Sequence, residues 1–299
     1  MHSRSDAQPE KLMKNKNYSF KVTEDCRLLD FLIDHIPESR NTVKHLMGAG
    51  FAAADGVSAT KFDHPLRAGQ TVTVSSENAV RSSMPFGILY EDSDIIVINK
   101  SAGLLCVGND REKERTAYRF LSDYMRAKND GGRVYVIHRL DRDTSGIVMF
   151  AKSDELRKAY QDNWDRLVKK RRYAAVCEGV PSPAEDTITS YLRESTSHMV
   201  YTAEKSRFSK EAVTHYKTVK AGKRFSLLDI EIMTGRKNQI RVQLAERGNP
   251  IAGDKKYGAV TNPIHRLALH ASELEIMSPS GKHFKFRAPI PASFAKVVK

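Results

Sequence analysis

The spacing of apolar residues changes near residue 85, and this change most constrains how the chain can fold. Residues 28–36 carry leucines and isoleucines at the spacing of one buried helical face. From Pro85 onward, short β-branched and apolar runs alternate with turn residues instead. Strands are predicted at 95–99, 134–137, 146–151, 173–177, 212–219, 225–232, 267–276 and 283–287. We therefore expect a mixed α+β domain of mainly antiparallel strands after residue 85.

Two helices are predicted within this strand-rich part. One follows Ser153 and presents an apolar stripe from Leu156 to Leu167, with acidic residues in its first turn as a helix N-terminus favours. The other covers residues 235–246.

The residues before this domain predict a separate, smaller unit. Pro37 ends the first predicted helix, and Ser39 can cap a second one. Asp55–Gly56 predicts a tight turn, and the alternation of residues 71–74 predicts a strand. The expected organisation is a flexible tail (residues 1–16), a small α+β domain (17–76) and a large domain (85–299).

The positive charge of the chain is concentrated in the large domain. The formal net charge is +13, whereas residues 1–80 hold equal numbers of basic and acidic side chains. A surplus of this size favours a polyanionic partner such as RNA. General solubility is the alternative explanation, because charge by itself does not identify a ligand.

The sequence carries no signature of a membrane span, a metal centre or a nucleotide cofactor. No apolar run approaches the ~20 residues needed to cross a bilayer, and residues 1–17 lack the apolar core of a signal peptide. Cys26, Cys106 and Cys177 are far apart and form no C-x-x-C pair. We therefore expect a cytoplasmic protein that needs no metal ion and no cofactor. Nothing in the sequence demands more than a monomer.

Separated segments carry the side chains that could perform chemistry. Residues 138–146 read H-R-L-D-R-D-T-S-G, and residues 172–176 read R-Y-A-A-V. Further along, the chain reads T-G-R-K-N-Q-I-R at 234–241, G-D-K-K-Y-G at 253–258 and R-L-A-L-H-A at 266–271. Each segment alone has an ordinary structural explanation, such as an aspartate in a turn or a tyrosine in a sheet. Together and in this order, they closely resemble the RluA family of pseudouridine synthases.

This resemblance, which covers residues 85–290, implies an enzyme that isomerises uridine in RNA without a cofactor. The family reaction breaks the bond between ribose C1′ and uracil N1, turns the base, and rejoins it through C5. Asp141 matches the family's catalytic carboxylate. The sequence leaves open whether this carboxylate attacks C1′, adds to the base or removes a ribose proton.

The resemblance also implies roles for residues around this carboxylate. Arg241 matches its ion-pair partner, and losing Arg241 is expected to strand a buried Asp141 and nearly abolish turnover in a protein that stays folded. Tyr173 matches the tyrosine that stacks on the uracil. Because the base must leave its helix to be reached, Arg139 is expected to fill the space that it leaves, and Arg236 is a further expected RNA contact.

The smaller unit resembles an S4-type RNA-binding domain. The matching residues are R-L-L-D-F-L at 27–32, Ser39–Arg40, Gly50, Asp55–Gly56 and R-A-G-Q-T-V at 67–72. This resemblance implies RNA contacts from Arg40 and Lys44. A module of this kind before a synthase domain favours large-subunit ribosomal RNA over transfer RNA, by analogy.

Three positions depart from the family pattern. Asn238 and Gln243 replace histidines in the block that usually continues T-H-Q-I-R-V-H, and Ser101 replaces a proline after Lys100. Amides form hydrogen bonds but cannot become cations near neutral pH. RNA contact or substrate choice is therefore expected to differ from the family's.

Other functions fit parts of the sequence. A ribosome-assembly factor would use the same basic surface without turnover, although retention of Asp141, Tyr173 and Arg241 together argues against it. A carboxylate-dependent hydrolase would need a second acid or base, for which Asp143 is the nearest candidate. A synthase that acts on transfer RNA is the third alternative.

Overall fold

The computed structural model describes residues 18–299 apart from residues 49, 75–83, 111 and 128–132. Contacts divide the chain into two compact units. The first takes in the described residues up to Pro85 and the segment Gly108–Val134, and the second takes in Phe86–Val107 and Tyr135–Lys299. The segment 108–134 thus groups with the smaller unit, whereas the predicted division at residue 85 assigned it to the larger one; the predicted tail lies outside the described residues.

The first unit contains small sheets and short helices. Its strands are β1 (Tyr18–Lys21), β2 (Cys26–Arg27), β3 (Ala52–Ala54), β4 (Val57–Ser58), β5 (Pro65–Leu66) and β6 (Thr71–Val74). Its helices are α1 (Leu28–His35), α2 (Arg40–Gly48) and α3 (Ala117–Ala127). The main sheet has the order β1-β6-β3-β4, and β2 pairs with β5.

Local sequence chemistry explains these elements. Ile36 is extended (φ −108°, ψ 130°) because the residue before a proline disfavours the helical region, so α1 ends there as predicted. The Ser39 hydroxyl accepts a hydrogen bond from the Thr42 N–H at 3.2 Å, which confirms the predicted cap. Asp55 and Gly56 both have positive φ, the requirement of the tightest hairpin turns, and they join β3 to β4. Helix α3 was not predicted.

The second unit is built on one sheet of eleven strands. They are β7 (Gly87–Glu91), β8 (Ile95–Lys100), β9 (Tyr135–Val136), β10 (Ser145–Ala151), β11 (Val168–Glu178), β12 (Glu185–Glu194), β13 (Val200–Ala203), β14 (Lys210–Ala221), β15 (Phe225–Ile232), β16 (Leu269–Met277) and β17 (His283–Arg287). The order is β13-β12-β14-β15-β11-β16-β10-β8-β7, with β17 beside β16 and β9 beside β10. The described pairs are antiparallel except β10–β16, which confirms the expected mainly antiparallel α+β fold.

Short helices cover this sheet. They are α4 (Asp154–Asp162), α5 (Trp164–Leu167), α6 (Gln239–Glu246), a 3₁₀ turn (Lys255–Tyr257) and α7 (Ala292–Val297). The helix predicted over 235–246 begins only at Gln239, because Asn238 is left-handed (φ 54°). The stripe after Ser153 is divided between α4 and α5, because Asn163 leaves the helical region (φ −116°, ψ 19°). Strands β12 and β13 were missed because their exposed residues dilute the apolar alternation that predicts a strand.

Gly146 makes the parallel contact at the centre of the sheet possible. It has φ +113°, and a Cβ atom built on it would lie 2.2 Å from the carbonyl oxygen of Ala271. Only glycine combines this backbone conformation with such a close approach. Gly146 on β10 pairs with Ala271 on β16, and Ala271 pairs with Tyr173 on β11. The segment 138–146, which contains Asp141, therefore ends two strands away from Tyr173.

We expect Gly146→Ala to destabilise the second unit by about 3 kcal/mol or more, because the strained φ and the backbone clash add. The measurement is urea denaturation followed by the fluorescence of Trp164, the chain's single tryptophan, which lies in this unit. Gly281→Ala is the matched control, since Gly281 has φ +90° but a Cβ atom added to it would meet no other atom within 4 Å. The expected cost of this control is about 1 kcal/mol. Equal midpoints for the two variants would contradict the role given to the close approach.

Candidate active site

Asp141 lies in the segment between β9 and β10, residues 137–144, here called the Asp141 loop. Its neighbours are held by the segment 100–106. The Arg142 carbonyl accepts hydrogen bonds from the Gly103 N–H and from Lys100 Nζ, both at 2.9 Å. The Leu140 N–H donates to the Cys106 sulfur at 3.4 Å. The backbone on both sides of Asp141 is therefore restrained, while its side chain remains 31% exposed.

Lys100 is fully buried at the base of this loop. Its ammonium group donates to the carbonyls of Ser101 (3.0 Å), Leu104 (2.8 Å) and Arg142 (2.9 Å). Burial lowers the pKa of Lys100 to about 8, although nearby Cys106 and Asp143 partly oppose the shift. The family's proline is absent at Ser101, yet the carbonyl of Ser101 still takes part in this arrangement.

Arg241, in the first turn of α6, connects Asp141 to a second carboxylate. Its Nε and Nη2 atoms donate to both carboxylate oxygens of Asp254, at 2.6 and 2.7 Å. Its Nη1 atom donates to Asp141 at 3.2 Å and to the Asn238 side-chain oxygen at 3.0 Å. Burial by itself lowers the pKa of Arg241, but the pairs with Asp254 and Asp141 outweigh burial and raise it above its ordinary value.

The buried carboxylate of this site is Asp254 and not Asp141. The Asp254 side chain is 1% exposed, against 31% for Asp141. Removing Arg241 would therefore leave Asp254 buried without a charged partner, and such an unpaired buried charge is strongly destabilising. We therefore expect the loss of Arg241 to reduce stability as well as turnover, whereas the sequence predicted a variant that stays folded. Asp254 lies in the recognised block G-D-K-K-Y-G, but that resemblance gave it no role. The one signal that could have indicated its role is that a buried arginine needs a permanent partner.

The two family histidines are replaced in different environments. Asn238 belongs to the site, because its amide nitrogen donates to the Tyr257 hydroxyl at 2.9 Å while its oxygen receives Arg241. Gln243 is buried and donates to the Ser190 hydroxyl (2.9 Å) and the Ala212 carbonyl (3.0 Å). It fastens α6 to β12 and β14.

Tyr173 lies on β11 and packs against the apolar cluster of the sheet. Burial raises the pKa of its phenol to about 12, and the negative charge of Asp141 adds to the shift while Arg171 opposes it. The phenol is consequently protonated at neutral pH.

The residues expected to bind RNA are spread over both units. Arg139 is exposed in the Asp141 loop, and Arg236 is exposed with its Nε atom donating to the Glu211 carbonyl at 2.9 Å. Both belong to the second unit, whereas Arg40 and Lys44 lie four residues apart on α2 of the first unit. Asp143, the candidate second carboxylate of a hydrolase, pairs instead with Arg142 at 3.1 Å.

Within the part of the chain that the structure describes, no cluster of three His, Cys, Asp or Glu side chains could hold a metal ion. No described helix is both long and apolar enough to cross a membrane.

A family model described as RNA pseudouridylate synthase matches residues 94–246, which include Asp141, Tyr173 and Arg241. The chain belongs to this family. Its resemblance to curated synthases extends further along the chain. The RNA pseudouridine synthase YhcT of Bacillus subtilis is 33% identical over 71% of this chain and 71% of its own length. The ribosomal large subunit pseudouridine synthase D of Xanthomonas campestris is 30% identical over 89% of this chain and 86% of its own.

Solved structures agree with this assignment. The human RNA pseudouridylate synthase domain containing 1 superposes with a TM-score of 0.57 at 26% identity, over 71% of this chain and 85% of the human chain. The human RNA pseudouridylate synthase domain containing 4 superposes with a TM-score of 0.58 at 22% identity, which supports the fold. The chain is thus an enzyme of the synthase family, an isomerase of uridine in RNA.

We expect Arg241→Lys and Arg241→Ala to separate two roles of this arginine: its hydrogen bond to Asp141 and its ion pair with the buried Asp254. Lysine keeps a cation beside Asp254 but cannot donate in the same fork to Asp254, Asp141 and Asn238, so turnover should fall by about a hundredfold or more with a smaller loss of stability. Alanine should lose turnover and also about 3–5 kcal/mol of unfolding free energy. Trp164 fluorescence in urea provides the stability measurement, and an unchanged midpoint for Arg241→Ala would contradict the role given to Asp254.

Turnover should decline as the pH rises through about 8, the pKa of Lys100 in the folded protein. A protonated amine has three donors for its three carbonyl acceptors, and a neutral amine has two. Burial destabilises the charged form of Lys100, and this penalty is present below pH 8. It disappears between pH 8 and 10.5, the ordinary pKa of lysine, so the folded protein becomes more stable over this range. Over the same range the hydrogen bond from Lys100 to the Arg142 carbonyl weakens.

The measurement is single-turnover release of tritium from C5 of uridine, with RNA affinity determined at each pH. Lys100→Met leaves the three carbonyls without this donor, and it should show low turnover with no decline around pH 8. Constant wild-type turnover across this range, at constant RNA affinity, would contradict the prediction.

Proposed function

We propose that this synthase isomerises specific uridines of large-subunit ribosomal RNA and that Asp141 is its nucleophile. The observation that carries the proposal is the state of Asp141: a partly exposed carboxylate on a restrained loop, paired with Arg241. The relative from Xanthomonas campestris, named for the large ribosomal subunit, matches over most of its length and supports this RNA class.

The division between Asp141 and Asp254 suits a reactive carboxylate. Asp254 takes two of the three donating nitrogens of Arg241, so the guanidinium is held whether or not Asp141 is engaged elsewhere. Among the described residues, the Asp141 carboxylate receives a single hydrogen bond, of 3.2 Å, and its remaining lone pairs can accept from a nucleotide. The attacking group is thereby oriented without being enclosed.

The reaction also requires the target uracil to be turned out of the stacked bases of the RNA. In the proposed sequence the Asp141 carboxylate bonds to C1′ as the C1′–N1 bond breaks, and the base turns. C5 then bonds to C1′ as the Asp141–C1′ bond breaks, the C5 proton leaves and N1 gains a proton. Tyr173 offers an aromatic face to the extruded uracil, a contact worth ~1–3 kcal/mol per base. Arg139, exposed two residues before Asp141, fills the gap in the helix, and Arg236 contacts the RNA nearby.

The first unit is proposed to be an S4-like RNA-binding domain. Arg40 and Lys44 are four residues apart on α2 and so share one helical face. Residues 1–80 carry no net charge, so this unit would contribute positioning more than phosphate affinity. A cytoplasmic location, a monomeric state and the absence of a cofactor stay predictions from the sequence.

The test uses transcripts of large-subunit ribosomal RNA and of transfer RNA with tritium at uridine C5. We expect wild type to release tritium from the ribosomal transcript and Asp141→Asn to reduce release to background, because asparagine keeps the shape but not the negative charge. Asp162→Asn is the matched control: Asp162 is exposed at the end of α4, and its variant should match wild type.

Each other outcome changes the proposal in a defined way. Release by Asp141→Asn would remove this residue as the nucleophile. Release from transfer RNA alone would overturn the ribosomal substrate. Binding of both RNAs without release from either would favour the assembly-factor alternative.

A further inference from the structure

An open cavity of about 620 Å³ lies beside the ion pair of Asp141 and Arg241. Arg241, which contacts Asp141, lines the cavity, and so does Arg142, which follows Asp141 in the chain. The volume falls within the ~300–1,000 Å³ of ordinary ligand sites. A molecule in this cavity would therefore lie next to the nucleotide that Asp141 attacks.

The wall of this cavity has uncompensated positive charge. Its two carboxylates, Asp143 and Asp254, are each paired with an arginine of the same wall, at 3.1 and 2.6 Å. Three further cations line the cavity, and within the described part of the chain none of them has a carboxylate at ion-pair distance: Lys255, Lys256 and Arg266. Such a wall favours an anionic ligand.

One part of the cavity wall is formed by packed backbone. Gly253 has φ +83°, and a Cβ atom on it would lie 2.3 Å from the carbonyl oxygen of Arg266. The half-buried Arg266 donates from Nη2 to the Ser145 hydroxyl at 2.6 Å and from Nε to the Leu267 carbonyl at 3.0 Å. Ile264 and Leu267 add apolar surface. This part of the wall is thus shaped before a ligand arrives, which reduces the ordering cost of binding.

We propose that this cavity binds the phosphodiester of a nucleotide adjacent to the target uridine, with Lys255 and Lys256 as its cationic contacts. The inference rests on the proposed function, since it places RNA at Asp141. The recognised block G-D-x-x-Y-G does not specify these two positions, which are both lysine here. Lys255 is exposed, and Lys256 donates to the His198 carbonyl at 3.3 Å. An ammonium group is suited to a phosphate as a point charge.

The first test compares two variants that each lose two positive charges. One is Lys255→Gln with Lys256→Gln, and the matched control is Lys220→Gln with Lys223→Gln, exposed lysines elsewhere in the second unit. RNA affinity is measured over a series of salt concentrations. The cavity variant should bind on the order of tenfold more weakly, with the slope of log affinity against log salt reduced by about two, and the control should match wild type.

The second test removes the charge from the RNA. After the modified uridine is mapped, short RNAs carry one neutral methylphosphonate on its 5′ or 3′ side. Wild type should lose affinity for one of these RNAs, and the cavity variant should not distinguish that RNA from the unmodified one.

Equal losses in the cavity and control variants would overturn the site, as would equal sensitivity of wild type and the cavity variant to the methylphosphonate. Either failure leaves tritium release by wild type intact. A failure of the proposed function removes tritium release itself, so the two are distinguishable.

Discussion

Arg241 donates hydrogen bonds to acceptors from three separate parts of the second unit: Asp254 beyond α6, Asn238 just before it, and Asp141 in the loop between β9 and β10. A buried guanidinium is costly unless every donor finds a partner. Satisfying Arg241 therefore requires all three segments to be in place at once. The planar fork of arginine makes this requirement geometric as well as electrostatic, because lysine could not reach the same acceptors in the same plane.

The backbone around Asp141 is held by a different set of contacts. Lys100 and Gly103 bind the Arg142 carbonyl, and Cys106 binds Leu140, so the loop is restrained on both sides of the carboxylate. Gly146 lets the end of the same segment approach β16 closely. One carboxylate, Asp254, is buried and serves the structure, while the other remains accessible. This division leaves one charged group accessible in a site that is otherwise closely packed.

Parts of the fold were predictable because local chemistry decides them. The end of α1 before Pro37, the Ser39 cap and the Asp55–Gly56 turn each depend on residues within one turn of chain, and the structure confirms them. Elements that depend on distant contacts were predicted less well. The left-handed Asn238 delays the start of α6, and it does so where its side chain bonds to both Arg241 and Tyr257. Strand β13 is an edge strand and β12 lies next to it, and the exposed residues of both weaken the apolar pattern.

The sequence by itself determined the chemical inventory: the ordered blocks that contain Asp141, Tyr173 and Arg241, the fold class, and the location of the positive charge after residue 80. Only the tertiary structure decided which carboxylate is buried, which cavity cations lack a carboxylate partner among the described residues, and which residues support the Asp141 loop. The reason is that burial and pairing depend on side chains far apart in the chain. Arg241 and Asp141 are separated by a hundred positions, and Lys100 and Arg142 by forty-two. No local pattern records such a distance, so the assignment of Asp254, Lys100 and Lys255 had to come from the fold.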